Sequence, residues 1–245
     1  MDDQLKQRMT EMSAENQQYN PQQTAEFFNE FGSREWDRWD AGIEERVSLY
    51  LHRFYLNAFV PEDARVLEIG AGPGRFTQTL ALKNSRVVVG DISTEQLKLN
   101  RQNAQKLGFA RAVQEWVEVD ITDLSRFSTG EFEVVVAYGG PFSYVLDQRD
   151  QALAECIRVL SPGGILILSV MSLWGSCHRF LSGVLQIDPS VNEQIIATGD
   201  ITAELLPERG QFMHMFRAGE LHTWLSNAGL AVLVQSASGV LVNRW

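Results

Sequence analysis

The sequence predicts an α/β protein with a doubly wound, mostly parallel sheet, a helical N-terminal addition and a cap inserted after the fifth strand. Three observations lead to this prediction. Short β-branched apolar runs alternate with amphipathic segments between residues 61 and 170, as in βαβ units. The first run leads into a glycine-rich turn at residues 70–74. Acidic residues, Asp91 and Asp120, follow the second and third runs, at the edge where such sheets bind ligands.

Length and composition suit one large α/β domain with additions, since the chain has 245 residues, of which 44% are hydrophobic and 10% aromatic. The formal net charge of −10 disfavours a nucleic-acid partner. The two cysteines, Cys156 and Cys177, have no metal-type spacing and form no disulfide framework. We therefore expect no metal and a reducing, cytoplasmic location. Neither a signal peptide nor an apolar run of ~20 residues is visible, so no membrane association is predicted, and monomer and homodimer both remain open.

Residues 1–60 are predicted to form the helical N-terminal extension. Residues 1–21 are polar and indicate a frayed helix or a tail. The aromatic residues between 25 and 39 lie in a polar setting, which implies that they are buried against another part of the chain. A longer helix with one apolar face follows and ends before Pro61, because apolar residues recur there at three- and four-residue steps: Ile43, Val47, Leu51, Phe54 and Ala58.

The core, residues 61–170, is predicted to alternate five strands with helices. The strands are expected at 65–69, 86–90, 116–119, 132–137 and 165–170. Ser93 and Gln96 form the pattern of a capping box at the start of the second core helix, and Gly108 is its expected C′ residue. Residues 161–164, Ser-Pro-Gly-Gly, predict a turn before the fifth strand.

Two segments follow the core. Residues 171–215 are too long for a structureless loop inside a compact domain, so we expect a cap on the substrate side. Residues 216–245 are expected to complete the core with a helix over 220–227 and a sixth strand over 230–235. Only residues 239–244 are left for a seventh strand.

The glycine-rich turn restricts the class of ligand. Glycines allow a ligand to approach the backbone closely, and free N–H groups at the following helix start favour a polar or anionic group. A dinucleotide fingerprint needs a third glycine where Arg75 stands, which disfavours a nicotinamide-dependent oxidoreductase. Glu68 precedes the first glycine by two residues, and a carboxylate aimed into the site would favour a cationic ligand. A tight turn that binds no ligand is the remaining alternative.

At Glu68, Gly70, Gly72 and Gly74 the chain resembles the class I S-adenosylmethionine-dependent methyltransferases, whose first motif is E/D-x-G-x-G-x-G. The resemblance covers residues 61–170 well and 216–237 in part. It implies the Rossmann-like fold of that class and binding of S-adenosylmethionine, with S-adenosylhomocysteine as product. The implied contacts are Gly70, Ala71, Gly72 and Gly74 for the methionine part, Asp91 for the ribose, Asp120 and Ile121 for the adenine, and Tyr138 and Gly139 on the side of methyl transfer. Glu68 and Ile92 are also expected to bind the cofactor.

Two further segments resemble a broad, mostly uncharacterised group of bacterial and archaeal small-molecule methyltransferases. These are Glu35-Trp36-Asp37-Arg38 and residues 140–144, Gly-Pro-Phe-Ser-Tyr. Tyr144 stands where that group usually has histidine. One interpretation of residues 22–40 is a lid, in which Trp36 stacks on the cofactor and Arg38 reaches its carboxylate. The other is plain packing of aromatic residues in the core.

The functional prediction is methyl transfer to a small-molecule acceptor. An RNA methyltransferase, a nicotinamide-dependent oxidoreductase and a protein that holds the cofactor without transfer are the alternatives. The cap is expected to hold the acceptor, with His178, His214 and Tyr144 as candidate catalytic residues. Catalysis by proximity without a base also remains open. The sequence names neither the acceptor nor the atom that is methylated.

Overall fold

A five-stranded parallel sheet organises the protein. The computed structural model describes residues 18–206 and 211–238. The strand order is β3-β2-β1-β4-β5, and all four neighbouring pairs are parallel. This confirms the predicted α/β class and the parallel sheet. The strands are β1 Arg65–Ile69, β2 Arg86–Asp91, β3 Val113–Glu118, β4 Phe132–Ala137 and β5 Leu160–Leu168.

Helices connect the strands and extend the core at both ends of the described chain. Short 3₁₀ turns cover Arg38–Asp40, Ala110–Ala112 and Leu146–Gln148. The α-helices are α1 Pro21–Phe31, α2 Arg34–Asp37, α3 Ile43–Phe59, α4 Thr77–Ala81, α5 Thr94–Leu107, α6 Pro141–Tyr144, α7 Arg149–Val159, α8 Leu173–Arg179, α9 Leu181–Val184, α10 Pro189–Thr198 and α11 Ala218–Asn227.

The position of β1 determines where a ligand can bind. β1 pairs with β2 on one side and with β4 on the other, so the order of the strands reverses at this point. In open parallel sheets a crevice forms beyond the carboxyl ends of the strands at such a switch point. The loops after β1, β2 and β4 therefore border one site.

Two apolar layers cover the sheet. One contains α3 and α4, where Leu56 and Leu80 pack with valines of β1, β2 and β4. The other contains α7, whose Leu153 and Cys156 pack with Leu67 and with Phe132. Fully burying a side chain of this size contributes about 1.5–3 kcal/mol. The two layers hold the strand ends, and the loops that follow them, in fixed positions.

Three local predictions differ from the structure. β5 begins at Leu160, so the predicted turn at 161–164 lies within a strand whose register shifts between its pairs with Phe132 and Val134. Ser93 caps α5, but the Gln96 side chain does not return to it. The sixth strand at 230–235 is wrong, because residues 230–237 are not assigned to any strand and pair with no described strand. A run of apolar residues that favour an extended backbone predicts a strand. A strand forms only where a neighbouring strand is available to pair with it.

Residues 171–215 contain α8, α9, α10 and a two-stranded hairpin, β6 Asp200–Ile201 and β7 Met213–His214. In the described part of this segment Leu173, Ile195, Leu206 and Met215 form an apolar cluster. Of the tail predicted at 1–21, residues 1–17 lie outside the described residues, as do the residues left for a seventh strand, 239–244. The end of this prediction is wrong, because Tyr19 is buried against the core and Pro21 begins α1. No described helix is long and apolar enough to span a membrane.

Candidate functional site

A cavity of about 210 Å³ lies beyond the carboxyl ends of β1, β2 and β4. Its walls contain most of the residues that the sequence singled out, together with aromatic side chains of α1. The predicted residues that line it are Arg38, Gly70, Gly72, Asp91, Ile92, Asp120, Ile121, Tyr138, Gly139 and Tyr144. The structure therefore brings predicted residues from five separate stretches of the chain to one site.

The glycine-rich turn leaves no space for side chains on its inner surface. Gly70 has a φ of +65°, and a Cβ there would lie 2.6 Å from Cγ of Pro141. Gly72 has a φ of +54°, which L-amino acids with side chains rarely adopt. The turn can thus approach both α6 and a ligand with bare backbone.

Asp91 connects this turn to the start of α5. Its Oδ2 accepts a hydrogen bond from the Gly72 backbone N–H at 2.8 Å, and its Oδ1 accepts one from the Ser93 N–H at 2.9 Å. The side chain is buried, and burial raises the pKa of this carboxyl to about 6 against the opposing effect of the backbone donors. Each oxygen keeps a lone pair that can accept a hydroxyl from the cavity.

Glu68 does not face the cavity, in contrast to the prediction. It lies beneath the glycine-rich turn, where its Oε2 accepts a hydrogen bond from Oγ1 of Thr77 at 2.7 Å. Its Oε1 is buried without a hydrogen-bond partner. Ala71 and Gly74 are also absent from the cavity wall, and a Cβ at Gly74 would lie 3.1 Å from the Asn100 amide. In this structure these residues lie behind the turn and outside the cavity wall.

Glu68 should make the stability of the protein depend on pH. Burial raises the pKa of its carboxyl from 4.5 to about 8, so between these values the folded state binds a proton that the unfolded state has lost. The free energy of unfolding should then fall as pH rises from about 5 to about 8. Glu68→Gln should remove part of this fall and be more stable than the wild type at about pH 9 in urea unfolding.

Glu118→Gln, on the exposed end of β3, is the matched control and should follow the wild type. An identical pH profile for Glu68→Gln and the wild type would contradict the assignment.

Residues 18–40, here called the covering segment, close the cavity from above. Tyr19 is buried at one end, where its hydroxyl donates to Asp120 Oδ2 at 2.9 Å and its backbone N–H donates to Asp147 Oδ1 at 2.7 Å. At the C-terminal end of α1, Asn29 Oδ1 accepts hydrogen bonds from Ser93 Oγ at 2.7 Å and from the Glu95 N–H at 3.2 Å. The covering segment is therefore attached to the loops after β2 and β3.

The short helix α2 directs its residues to two sides. Glu35 and Arg38 are three residues apart, share one face of the helical turn and line the cavity. They form an ion pair with 2.6 Å between Arg38 Nε and Glu35 Oε1, and burial raises the pKa of Glu35. Trp36 points away from the cavity, in contrast to the prediction, and its ring lies under the Arg75 guanidinium at 4.1 Å.

Arg75 holds the covering segment at its other end. Its Nη2 donates to the Trp36 carbonyl at 2.9 Å, and it forms an ion pair with Asp40. Trp39, next to these residues, is buried in the core with Phe76. Both interpretations of residues 22–40 thus describe part of the segment, since Trp39 packs in the core while α1 covers the cavity.

The two histidines proposed as bases lie outside the cavity wall. His214 is buried, and its two ring nitrogens each lie 2.7 Å from a carboxylate oxygen, Nδ1 from Asp200 and Nε2 from Glu220. Neither nitrogen is available to a substrate. His178 is exposed on α8. Tyr144 does line the cavity, but burial raises the pKa of its phenol, so at neutral pH it can donate a hydrogen bond but is not a base.

We expect His214 to stabilise the cap and to leave cofactor binding unaffected. His214→Ala would leave the carboxylates of Asp200 and Glu220 without their shared partner and should lower the free energy of unfolding by about 2 kcal/mol. His222→Ala, on the exposed side of α11, is the control and should change stability little. Thermal unfolding and calorimetry with S-adenosylhomocysteine measure the two properties separately. Weaker ligand binding at unchanged stability would refute this assignment.

Several cavity residues were not singled out from the sequence. Thr24, Phe27, Phe28 and Phe31 occupy positions i, i+3, i+4 and i+7 of α1, so a helical pattern was present in the sequence. Gln96 was interpreted only as part of a capping box. For Gln211, which belongs to the cap, no sequence signal was available. The other additional lining residues are Tyr19, Glu35, Ile69, Val119, Pro141 and Val145.

Comparison with known proteins agrees with the resemblance found in the sequence. Residues 66–164 match the family described as a methyltransferase domain. The chain therefore contains a class I methyltransferase domain. It is 26% identical over 191 residues to a ubiquinone biosynthesis O-methyltransferase of Xanthomonas axonopodis pv. citri, and the match covers 76% of this chain and 69% of that protein.

Solved structures show the same fold. An S-adenosylmethionine-dependent methyltransferase of Methanosarcina mazei is 26% identical, with a TM-score of 0.56 and coverage of 71% of this chain and 82% of that one. A Haloferax volcanii chain, solved in the complex of the Trm112 methyltransferase activator with a methyltransferase, is 21% identical. It has a TM-score of 0.58 and coverage of 86% and 80%. The glycine-rich turn and Asp91 of this methyltransferase lie within the matched domain.

Proposed function

We propose that this methyltransferase binds S-adenosylmethionine in the cavity and transfers its methyl group to a small-molecule acceptor, with oxygen as the favoured atom. The observation that carries the proposal is the convergence of Asp91, Asp120 and Arg38 on one mostly apolar cavity at the switch point of the sheet. The O-methyltransferase names of the curated relatives support oxygen as the methylated atom.

The residues present fit the cofactor. Asp91 is buried beside the glycine-rich turn and presents carboxylate oxygens that can accept ribose hydroxyls. Asp120 lies at the end where Tyr19 closes the cavity, and we assign this end to the adenine. Arg38 enters from the covering segment with a guanidinium that suits the methionine carboxylate.

The charges around the cavity agree with this ligand. The carboxylates of Glu35, Asp91 and Asp120 line it, and they favour a cationic ligand over a pyrophosphate. Among the lining residues in the described chain, Arg38 is the one cation, and it is paired with Glu35. A phosphate backbone would find little to bind there, which disfavours RNA as the acceptor.

The chain's own groups act mainly by positioning. S-adenosylmethionine, when bound, supplies an electrophilic methyl group on a sulfonium. Phe27, Phe28 and Tyr144 form an aromatic wall that excludes water and limits the orientation of the acceptor. Because the histidines lie outside the wall, we propose that orientation and desolvation contribute more than a histidine base.

The acceptor is proposed to enter beside the cap. A smaller cavity of about 20 Å³ adjoins the main one and shares Thr24, Phe27, Tyr144 and Gln211 with it. Phe212 of the cap lines its outer side. This route would place a small planar molecule against Tyr144, at the opening between the covering segment and the cap.

Calorimetry tests the cofactor assignment. S-adenosylmethionine and S-adenosylhomocysteine should bind at one site per chain, and NAD should not bind. Binding of NAD and of neither sulfur nucleoside would overturn the proposal.

A transfer assay tests the acceptor class. With a labelled methyl group on the cofactor, the enzyme should methylate members of a panel of small hydroxylated aromatic compounds and should leave bulk RNA unlabelled. Label in RNA alone would favour the alternative acceptor.

A further inference from the structure

Gln96 lines the cofactor cavity and has one buried polar atom without a partner. The residue is 1% exposed and lines the cavity, and its Oε1 has no hydrogen-bond partner. Buried polar atoms in native proteins are almost always hydrogen-bonded, so an unpaired one in a cavity wall indicates a ligand contact. Neither the family match nor the predicted contact set assigns a role to this residue.

The orientation of the Gln96 amide is determined by its neighbours. Nε2 donates hydrogen bonds to the carbonyl oxygens of Phe28 and Gly32, both at 3.0 Å. Carbonyl oxygens cannot donate, so the NH₂ group must face the covering segment and Oε1 must face away from it. The group of Gln96 that is left without a partner is therefore an acceptor.

Asp91 explains why Gln96 is available for this role. In a capping box the glutamine at the third helical position bonds back to the N–H of the capping residue. Here the Ser93 N–H already donates to Asp91 Oδ1. Ser93 Oγ still caps the helix by accepting from the Gln96 N–H at 3.1 Å. The Gln96 side chain is thus left to bind elsewhere.

The surroundings of Oε1 indicate which donor it would accept. Oε1 lies 3.9 Å from the position that a Cβ on Gly72 would take, and the Gly72 N–H donates to Asp91 Oδ2. Oε1 of Gln96 and the carboxylate of Asp91 therefore both lie near Gly72. A ribose carries two neighbouring hydroxyls, which would match two neighbouring acceptors.

We propose that Gln96 is a further cofactor-binding residue, whose carbonyl oxygen accepts a hydrogen bond from a ribose hydroxyl while its amide group couples that contact to closure of the covering segment. This inference rests on the proposed cofactor and extends it. It makes the position of α1 part of nucleoside recognition, because the two carbonyls of the covering segment orient the oxygen that contacts the sugar.

The test compares the wild type, Gln96→Met and Asn29→Ala. Gln96→Met keeps the length of the side chain and removes both polar groups. Asn29→Ala is the matched control, since it loosens the covering segment by removing the acceptor of Ser93 Oγ and leaves Gln96 in place. Calorimetry is run with S-adenosylhomocysteine and with its 2′-deoxy and 3′-deoxy analogues.

Relative to the wild type, Gln96→Met should bind S-adenosylhomocysteine about tenfold more weakly. For one of the two deoxy analogues, the loss relative to the wild type should be no more than about twofold. Asn29→Ala should weaken all three ligands by the same factor. Equal losses for all three ligands with Gln96→Met would overturn the ribose contact and leave the cofactor proposal standing. If the wild type binds none of the three ligands, both proposals are overturned.

A measurement on the wild type covers the case in which Gln96→Met does not fold. The side-chain amide nitrogen of Gln96, assigned by NMR through its own side-chain carbons, should shift when S-adenosylhomocysteine binds. The shift should be markedly smaller with one of the deoxy analogues. A resonance that responds equally to all three ligands would overturn the inference.

Discussion

Asp91→Ala should weaken binding of S-adenosylhomocysteine on the order of 100-fold, which corresponds to about 2.7 kcal/mol. Asp91 performs two tasks that this change removes together. It accepts the backbone N–H groups of Gly72 and Ser93, and it offers its remaining lone pairs to the cavity. The variant would thus lose the proposed ribose contact and also leave two buried N–H donors without a partner.

Calorimetry measures the loss, and circular dichroism checks that the variant is folded. Asp123→Ala is the matched control. Asp123 makes the same local contact, since its Oδ1 accepts the N–H two residues later, from Ser125 at 3.0 Å, but it is exposed and outside the cavity wall. An unchanged dissociation constant for folded Asp91→Ala would remove this residue from the site.

Affinity for S-adenosylhomocysteine should also depend on pH. The carboxylate of Asp91 is the form that accepts hydroxyl donors, and burial raises its pKa to about 6. Binding should therefore weaken as pH falls below about 6. The same titration series in the Asp123→Ala control should follow the wild type.

Deletion of residues 1–32 should reduce cofactor affinity by about 10- to 100-fold while the core stays folded. The deletion removes Tyr19 from Asp120 and the aromatic wall of α1 from the cavity. It retains Trp39, which is buried in the core, so the loss should appear in binding more than in stability. Deletion through residue 40 would remove Trp39 as well and would confuse the two effects.

Calorimetry and thermal unfolding are measured together on the deletion variant. Deletion of residues 1–17 is the length control, because it leaves every contact described here in place. A large fall in unfolding temperature with affinity intact would show that the covering segment serves packing alone.

The sequence predicted the sheet, and the edge of the sheet where the cavity lies, because both depend on local patterns. The limits of β4, Phe132–Ala137, agree with the prediction, since a short β-branched run between turn residues has few alternatives. The strand order brought Asp91 and Asp120 to the cavity wall as expected, because parallel strands place their carboxyl ends on one edge.

The remaining differences involve contacts between distant parts of the chain. Trp36 and Arg38 are neighbours in sequence, but the helical turn places them on different sides, and only Arg38 lines the cavity. His214 carries an imidazole, which is the side chain of a candidate base, yet Asp200 and Glu220 occupy both of its ring nitrogens. The partner of a polar side chain depends on the tertiary fold, and residue spacing alone does not contain that information.

The covering segment is anchored at two places separated by Gly32, whose φ is +56°. One anchor is made by Tyr19 and Asn29, and the other by Arg75 on Trp36 and Asp40. A hinge at Gly32 would let the first half swing while the second stays bound, once Gln96 releases the carbonyls of Phe28 and Gly32. The spent nucleoside could then leave by its adenine end without release of the Glu35–Arg38 pair. Opening of the first half would then be a step separate from methyl transfer, as in enzymes whose lids gate product release.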